Sequence, residues 1–211
     1  MAQHILAARS DRLPYDWSAN GAGGCFPGGE AALFKLLDEA GLWIGPRPAL
    51  ELDPSFRQII PYVVLVDRVP SDPDARFLSY CRTAKGEEAR LHGKFSIGFG
   101  GHVDIGDLVI TGDSIHLRFT LERAAEREMA EEVGAEINPM HRQWLCALAD
   151  NGNEVGKVHL GLVWLWMVSP DYMPTVKEDP IGDIRFMDRK ELIQLQLEPW
   201  TGMLLYAGVL T

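Results

Sequence analysis

The sequence predicts a domain of mixed α/β layers, and three observations carry that reading. Apolar runs of strand character, bounded by turn signals, recur from about residue 58 onward. One segment with helical periodicity, 121–133, stands among them and stops at Gly134. Further helical patterns lie near both ends, over 30–40 and from Arg189. Strands around one central helix, with helices at the flanks, pack as α/β or α+β layers.

Taken in order, residues 1–29 read as an irregular arm ending in the glycine-rich stretch "NGAGGCFPGGE". Glu30 to Ala40 places apolar residues at helical spacing, and Gly41 stops it. "GPRPALELDP" is a proline-rich connector. "QIIPYVVLVD" reads as a strand, with Pro61 marking an edge or an irregular start. "RFLSYCR" is a second strand, "TAKGEEARLHGK" a polar loop, and "FSIGFGGHVD" a strand entering a glycine-rich bend. Residues 108–119 fit neither period. After the central helix, "WLCALAD" and "KVHLGLVWLWMVS" are strands joined through "NGN"; "IRFMD" is a short strand, and "RKELIQL" opens a helix. The expected organisation is an N-terminal extension over 1–57, with one helix, and a main domain over 58–211.

Composition narrows the function. The chain has 211 residues, 46% hydrophobic and 24% charged, which supports one large packed domain or one domain with an extension. Its formal net charge of -10 argues against nucleic-acid binding through a general basic surface. An anionic substrate then needs local help, from metal ions or a few placed Arg and Lys residues. The three cysteines, Cys25, Cys81 and Cys146, show no metal spacing and no disulfide framework, as in a reducing cytoplasm. The N-terminus is a poor signal peptide, and the most apolar stretch, 158–168, is too short to span a bilayer. The expectation is a cytoplasmic protein with no membrane partner.

The segment "REMAEEVG" carries the chemistry. Glu128, Glu131 and Glu132 share one helix face, where like charges repel. A solvated acidic face is the ordinary reading of such spacing. A hard divalent cation gives the crowding a purpose, because Mg²⁺ bridges carboxylates to substrate phosphates. Upstream, "GFGGHVDIGD" brings closely spaced glycines, where backbone can approach a phosphate or a metal.

Together, "GGHVDIGD" and "REMAEEVGA" resemble the signature of the Nudix hydrolases. The second half matches at Arg127, Glu128, Met129, Glu131, Glu132 and Gly134, while Ala135 is smaller than the usual final aliphatic residue. The first half matches at Gly101, with Asp107 where the family has Glu. The spacing departs: twenty positions separate Asp107 from Arg127, twelve more than in the signature, as though "LVITGDSIHLRF" were inserted. Loops tolerate such lengthening at modest entropic cost. A glycine strand joined to an insertion ahead of the helix is also similar to one bacterial branch of the family.

The resemblance implies an α/β/α sandwich with a mixed sheet, and hydrolysis of a diphosphate bond in a small nucleoside diphosphate derivative. It implies Mg²⁺, or Mn²⁺ in its stead, held by Glu128, Glu131 and Glu132 with the carbonyl of Gly101. Arg127 then orients a glutamate. Glu178, in the loop "TVKEDPIGD", is the first candidate for general base, ahead of Asp179 and Asp183. Gly100, Gly101, His102 and Arg82 are the candidate substrate contacts, Arg82 belonging to a basic stretch with Lys85, Arg90, His92 and Lys94. An ordinary loop charge remains the alternative for Glu178 and for the basic stretch, and a structural role is the alternative for His102. His159, Trp164 and Trp166 read as core residues of a strand. The competing function is a nucleotide-sensing module of the same fold that has lost catalysis; an isoprenoid diphosphate isomerase would need a cleft cysteine. Marks of the known sub-families are absent, which leaves the substrate open. A homodimer is common in the fold.

Overall fold

The computed structural model describes residues 3–18, 20–83, 91–134, 137–175 and 181–210. Its architecture is mixed α/β, and the chain divides into two compact units. One comprises Met1–Tyr62, Gly101–Glu126 and Trp144–Val163; the other comprises Val63–Gly100, Arg127–Gln143 and Trp164–Thr211. Much of the expected 1–57 extension is built into the first unit's strands and helices.

In the first unit, the segment expected as an irregular arm contains two strands, β1 (His4–Arg9) and β2 (Gly24–Pro27). β1 escapes pattern reading because it does not alternate. Ile5, Leu6, Ala7 and Ala8 are all buried, as in a strand covered on both faces. It pairs antiparallel with β3 (Leu42–Pro46) and with the start of β4 (Phe56–Val66), so Ala7 faces both Trp43 and Gln58. Helix α1 (Glu30–Ala40) has the expected bounds: Leu33, Leu37 and Ala40 are buried at helical spacing, and Gly41 follows at φ 83. A single turn, α2 (Arg47–Leu50), then leads toward β4.

β4 runs through Pro61 without ending, and residues 57–66 are buried. The edge expected from Pro61 is therefore corrected. Pro61 lies between the β1 ladder at residues 56–58 and the antiparallel ladder with residues 98–99 at 63–64.

The segment 108–119 resolves into a hairpin and a helix start. β8 (Ile110–Thr111) and β9 (Ser114–Ile115) pair around Gly112 and Asp113, with Gly112 at φ 62. Helix α3 (Leu117–Glu132) follows and begins earlier than its apolar period indicates. Its first turn is tied down by the Thr120 hydroxyl, which accepts from the Val109 amide at 2.9 Å. β10 (His141–Ala149) pairs antiparallel with β2, and β11 (His159–Met167) is buried over residues 160–166.

Arg57 anchors this unit from inside. Its guanidinium is fully buried and donates through Nη1 to the carbonyls of Gly156 (2.6 Å) and His159 (2.9 Å), and through Nη2 to Asn151 Oδ1. Burial lowers its pKa to about 10, with Asp150 opposing, so it stays charged at neutral pH. Asn151 in turn donates to the carbonyls of Ser18 and Gly21.

In the second unit, β5 (Arg76–Arg82) lies antiparallel to β12 (Ile181–Asp188), with a register shift between Gly182 and Arg185. Asp183 sits in that bulge at φ 44. Two short strands, β6 (Phe95–Ser96) and β7 (Gly98–Phe99), pair with β5 and β4. The helix expected from Arg189 is one turn, α4 (Arg189–Leu192), capped by Asp188 and Glu191. A terminal helix, α5 (Pro199–Tyr206), starts with Glu198 at its N-cap and Pro199 at the first position. Hydrogen bonding orders the main path of the sheet β12–β5–β4–β11–β10–β2. Among the described residues, no helix is long and apolar enough to cross a membrane.

Candidate active site

The carboxylates come from the last turn of α3. Met129 and Val133 are buried and seat this end of the helix in the core, leaving the flanking acids at its margin. Gly134 follows at φ 112, a conformation that favours glycine, and the Thr175 amide donates to the Val133 carbonyl at 3.0 Å. The chain thus turns away at the helix end.

The three glutamates occupy different environments. Glu132 is buried, and its Oε2 accepts from the Gly100 amide at 3.0 Å. Gly100 can present that amide because it adopts φ 151, which side-chain-bearing residues rarely take. Glu128 is mostly buried and Glu131 half exposed. Arg127 joins them: its Nη1 donates to Glu128 Oε1 at 2.8 Å and to Glu131 Oε2 at 3.0 Å.

A cation pairs with a fourth carboxylate, Glu198, and lies in the field of Glu132. Arg82, at the end of β5, donates through Nε to Glu198 Oε1 at 2.9 Å and lies over the Tyr80 ring, 5.1 Å from its centroid. Tyr80 donates through its hydroxyl to the Gly98 carbonyl, two residues before the amide that holds Glu132. Glu198 is fixed by its own backbone, whose amide donates to the Phe95 carbonyl at 2.9 Å. Burial opposes the charge on Arg82; the fields of Tyr80 and Glu198, the Glu198 hydrogen bond and the field of Glu132 outweigh it, and the pKa is raised. Among the described residues, the two terminal nitrogens of Arg82 have no protein hydrogen-bond partner.

The donor set suits a hard divalent cation, because it consists of carboxylates with a backbone carbonyl nearby in the chain. As placed, the side chains do not form a cage. Among the described residues, no three His, Cys, Asp or Glu side chains are grouped to hold a metal ion. Arg127 is bonded to one oxygen of Glu128 and one of Glu131, so a cation would share those carboxylates with the guanidinium.

The other expected residues are distributed as follows. Gly101 and His102 belong to the first unit. There His102 Nε2 lies 3.2 Å from His159 Nε2, and His159 Nδ1 lies 2.7 Å from the Val155 carbonyl. A carbonyl only accepts, so His159 carries its proton on Nδ1, and its Nε2 accepts from His102. Burial lowers the pKa of His159. Asp107 is buried in the turn before the hairpin and accepts from the Asp104 amide at 2.9 Å, which makes it a structural residue. Asp183 is exposed in its bulge, 3.8 Å from Arg185. Lys94 contributes backbone, accepting from the Arg82 amide. Glu178 and Asp179, with Lys85 and Arg90, lie outside the described residues. Glu198 and Tyr80 were not anticipated. An acid followed by proline at 198–199 is a helix-start signal that would have located Glu198.

No family model matches the chain. It is 37% identical over 162 residues to Protein YmaB of Bacillus subtilis strain 168, a match covering 74% of this chain and 72% of YmaB. Over 98% of both chains it superposes on the crystal structure of Tm1382, a candidate Nudix hydrolase, with a TM-score of 0.75 at 24% identity. The chain belongs to the YmaB family and has the Nudix hydrolase fold. The same fold relates it to the NUDIX domain of Shewanella oneidensis NrtR, solved with ADP ribose, at TM-score 0.50 and 15% identity over 71% of this chain and 84% of that one. A NUDIX hydrolase from Alicyclobacillus acidocaldarius also gives 0.50, at 13% identity over 74% and 92%. The glutamates of α3 thus lie on a helix that the Nudix-like signature had singled out by sequence alone.

Proposed function

We propose that this chain hydrolyses the phosphoanhydride of a nucleoside diphosphate derivative with the help of a divalent cation. The observation that carries the reading is the environment of Glu132. A buried carboxylate ends α3, held by the Gly100 amide, with Glu128 one turn before it and the Arg82 cation in its field.

Glu128, Glu131 and Glu132 are the residues that would hold Mg²⁺ or Mn²⁺, with the carbonyl of Gly101. Such an ion, when bound, lowers the pKa of a water ligand and offsets charge on phosphate oxygens. The protein supplies position and charge. Arg82 keeps Nε on Glu198 and offers its terminal nitrogens to a phosphate group, a fork suited to two oxygens. Arg127 holds Glu128 and Glu131 in fixed rotamers until a cation competes for them. Glu178 takes the role of general base, and His102 and Gly100 border the substrate. ADP ribose is the natural first compound to try, since a NUDIX domain of this fold was solved with it.

The test is phosphate or nucleotide release from ADP ribose, nucleotide sugars, nucleoside triphosphates and related compounds, with Mg²⁺ and with chelator. Metal-dependent turnover that disappears in Glu132→Gln supports the proposal. Turnover unchanged in that variant removes the metal assignment, and tight nucleotide binding with no turnover anywhere moves the reading to a sensing module.

A further inference from the structure

We infer that Cys25 and Cys146 form an oxidation site, a thiol pair that closes to a reversible disulfide and staples strand β2 to strand β10. Nothing in the sequence spacing joins them, since 121 positions separate the two. The sheet brings them together. In the antiparallel ladder Cys25 faces Leu148 and Cys146 faces Pro27, so the two cysteines lie diagonally on the same face. Their sulfur atoms are 3.0 Å apart. Closing to a bond takes a movement of about 1 Å, because a disulfide sets the sulfurs about 2.05 Å apart.

The two thiols are unequal in the way an attacking and a resolving thiol must be. Cys25 is half-buried and open to a small oxidant, whereas Cys146 is fully buried. The hydrogen bond shared with Cys146 lowers the pKa of Cys25 against the effect of its burial. The same hydrogen bond, and then burial, raises Cys146 and keeps its proton in place. The pair therefore favours the thiolate at Cys25 over Cys146, and thiolates are the nucleophiles. The third cysteine, Cys81, is a built-in control: burial and then the charge of Asp183 raise its pKa.

The oxidant is a low-molecular-weight disulfide of the glutathione type. The Cys25 thiolate attacks one of its sulfurs; the sulfur–sulfur bond breaks and one thiolate departs. Cys146 gives up its proton and attacks Cys25 Sγ, releasing the second thiol. Two protein thiols and one disulfide become one protein disulfide and two small thiols. The product fixes β2 at the end of the sheet path, where its described anchors include the Trp144 indole on the Gly28 carbonyl and the Trp17–Phe26 ring contact.

The experiment equilibrates the full chain in glutathione/glutathione-disulfide buffers of graded ratio, quenches with an alkylating agent and maps the peptides. The expected result is joint loss of alkylation at Cys25 and Cys146, a linked peptide pair 25–146, retained alkylation at Cys81 and full reversal by reductant. The melting temperature of the oxidised wild type rises, while that of Cys25→Ser does not respond to the buffer. Because the wild type supplies the peptide map, a variant that folds poorly does not confound it. A stable glutathione adduct on Cys25 without the linked pair, a link to Cys81, or oxidation of no cysteine under the most oxidising buffer would each overturn the inference.

Discussion

Replacing Arg57 with methionine removes the interior anchor of the first unit while keeping a side chain of similar length. Three acceptors lose a charged donor: the carbonyls of Gly156 and His159, and Asn151 Oδ1. A hydrogen bond to a charged group contributes about 1.5–3 kcal/mol, and breaking a buried charged contact from one side costs about 3–5 kcal/mol in all, since bonds sharing one group do not add. Part of this is returned. Burial already disfavours the arginine's charge, as its lowered pKa of about 10 records, and among the described residues its Nε has no hydrogen-bond partner. The net loss is about 2–4 kcal/mol, a large share of the 5–15 kcal/mol that holds a typical domain. For a chain of this size each kcal/mol moves the melting point by about 2–4 °C, so the variant should melt about 4–16 °C lower by calorimetry or circular dichroism. Arg57→Lys should fall between, because an ammonium cannot serve the same fork. A melting point within about 2 °C of wild type, or above it, would refute the argument that these three bonds outweigh the cost of burying the charge.

Four further outcomes are expected. Glu132→Gln should lower turnover about a hundredfold or more while the melting point holds, because it removes charge at the candidate metal site without changing shape. Arg82→Ala should weaken nucleoside diphosphate binding in chelator, and Glu198→Gln should weaken it less; calorimetric affinities that do not move would detach Arg82 from substrate. Excising residues 110–115 should leave the fold intact, because the His116 amide already donates to the Val109 carbonyl at 2.7 Å and Ile110 is largely exposed; a collapse of the melting transition would show the hairpin to be core. His159 has its pKa lowered by burial, so the unfolded chain binds the extra proton first and stability should fall as pH drops below about 6.5. His159→Gln should flatten that acid limb of the melting-point profile, and an unchanged limb would assign it to other groups.

What the sequence revealed of the fold follows from where each element gets its stability. Helix α1 and strand β5 were legible to the residue, because a helical apolar stripe ending at Gly41 and an apolar run ending at Arg82 are local signals. β1 was not, because Ile5 to Ala8 are buried on both faces and carry no alternation. Pro61 misled for a related reason. It suggested an edge or an irregular start, whereas β4 is paired both before it, at 56–58, and after it, at 63–64, which is a tertiary fact.

The candidate site divides along the same line. Three glutamates on one helix turn keep their mutual spacing whatever the rest of the chain does, so twelve extra residues upstream could not hide them. The insertion itself folds as a hairpin whose ends meet, which is why the helix can begin straight after it. Arg82 and Glu198 meet from 116 positions apart, where the Phe95 carbonyl accepts from the Glu198 amide. Local repetition therefore exposed the acids, while the pairing of Arg82 with Glu198 had to wait for the sheet. On the proposed function a negative chain needs both, because the acidic half alone would repel a phosphate.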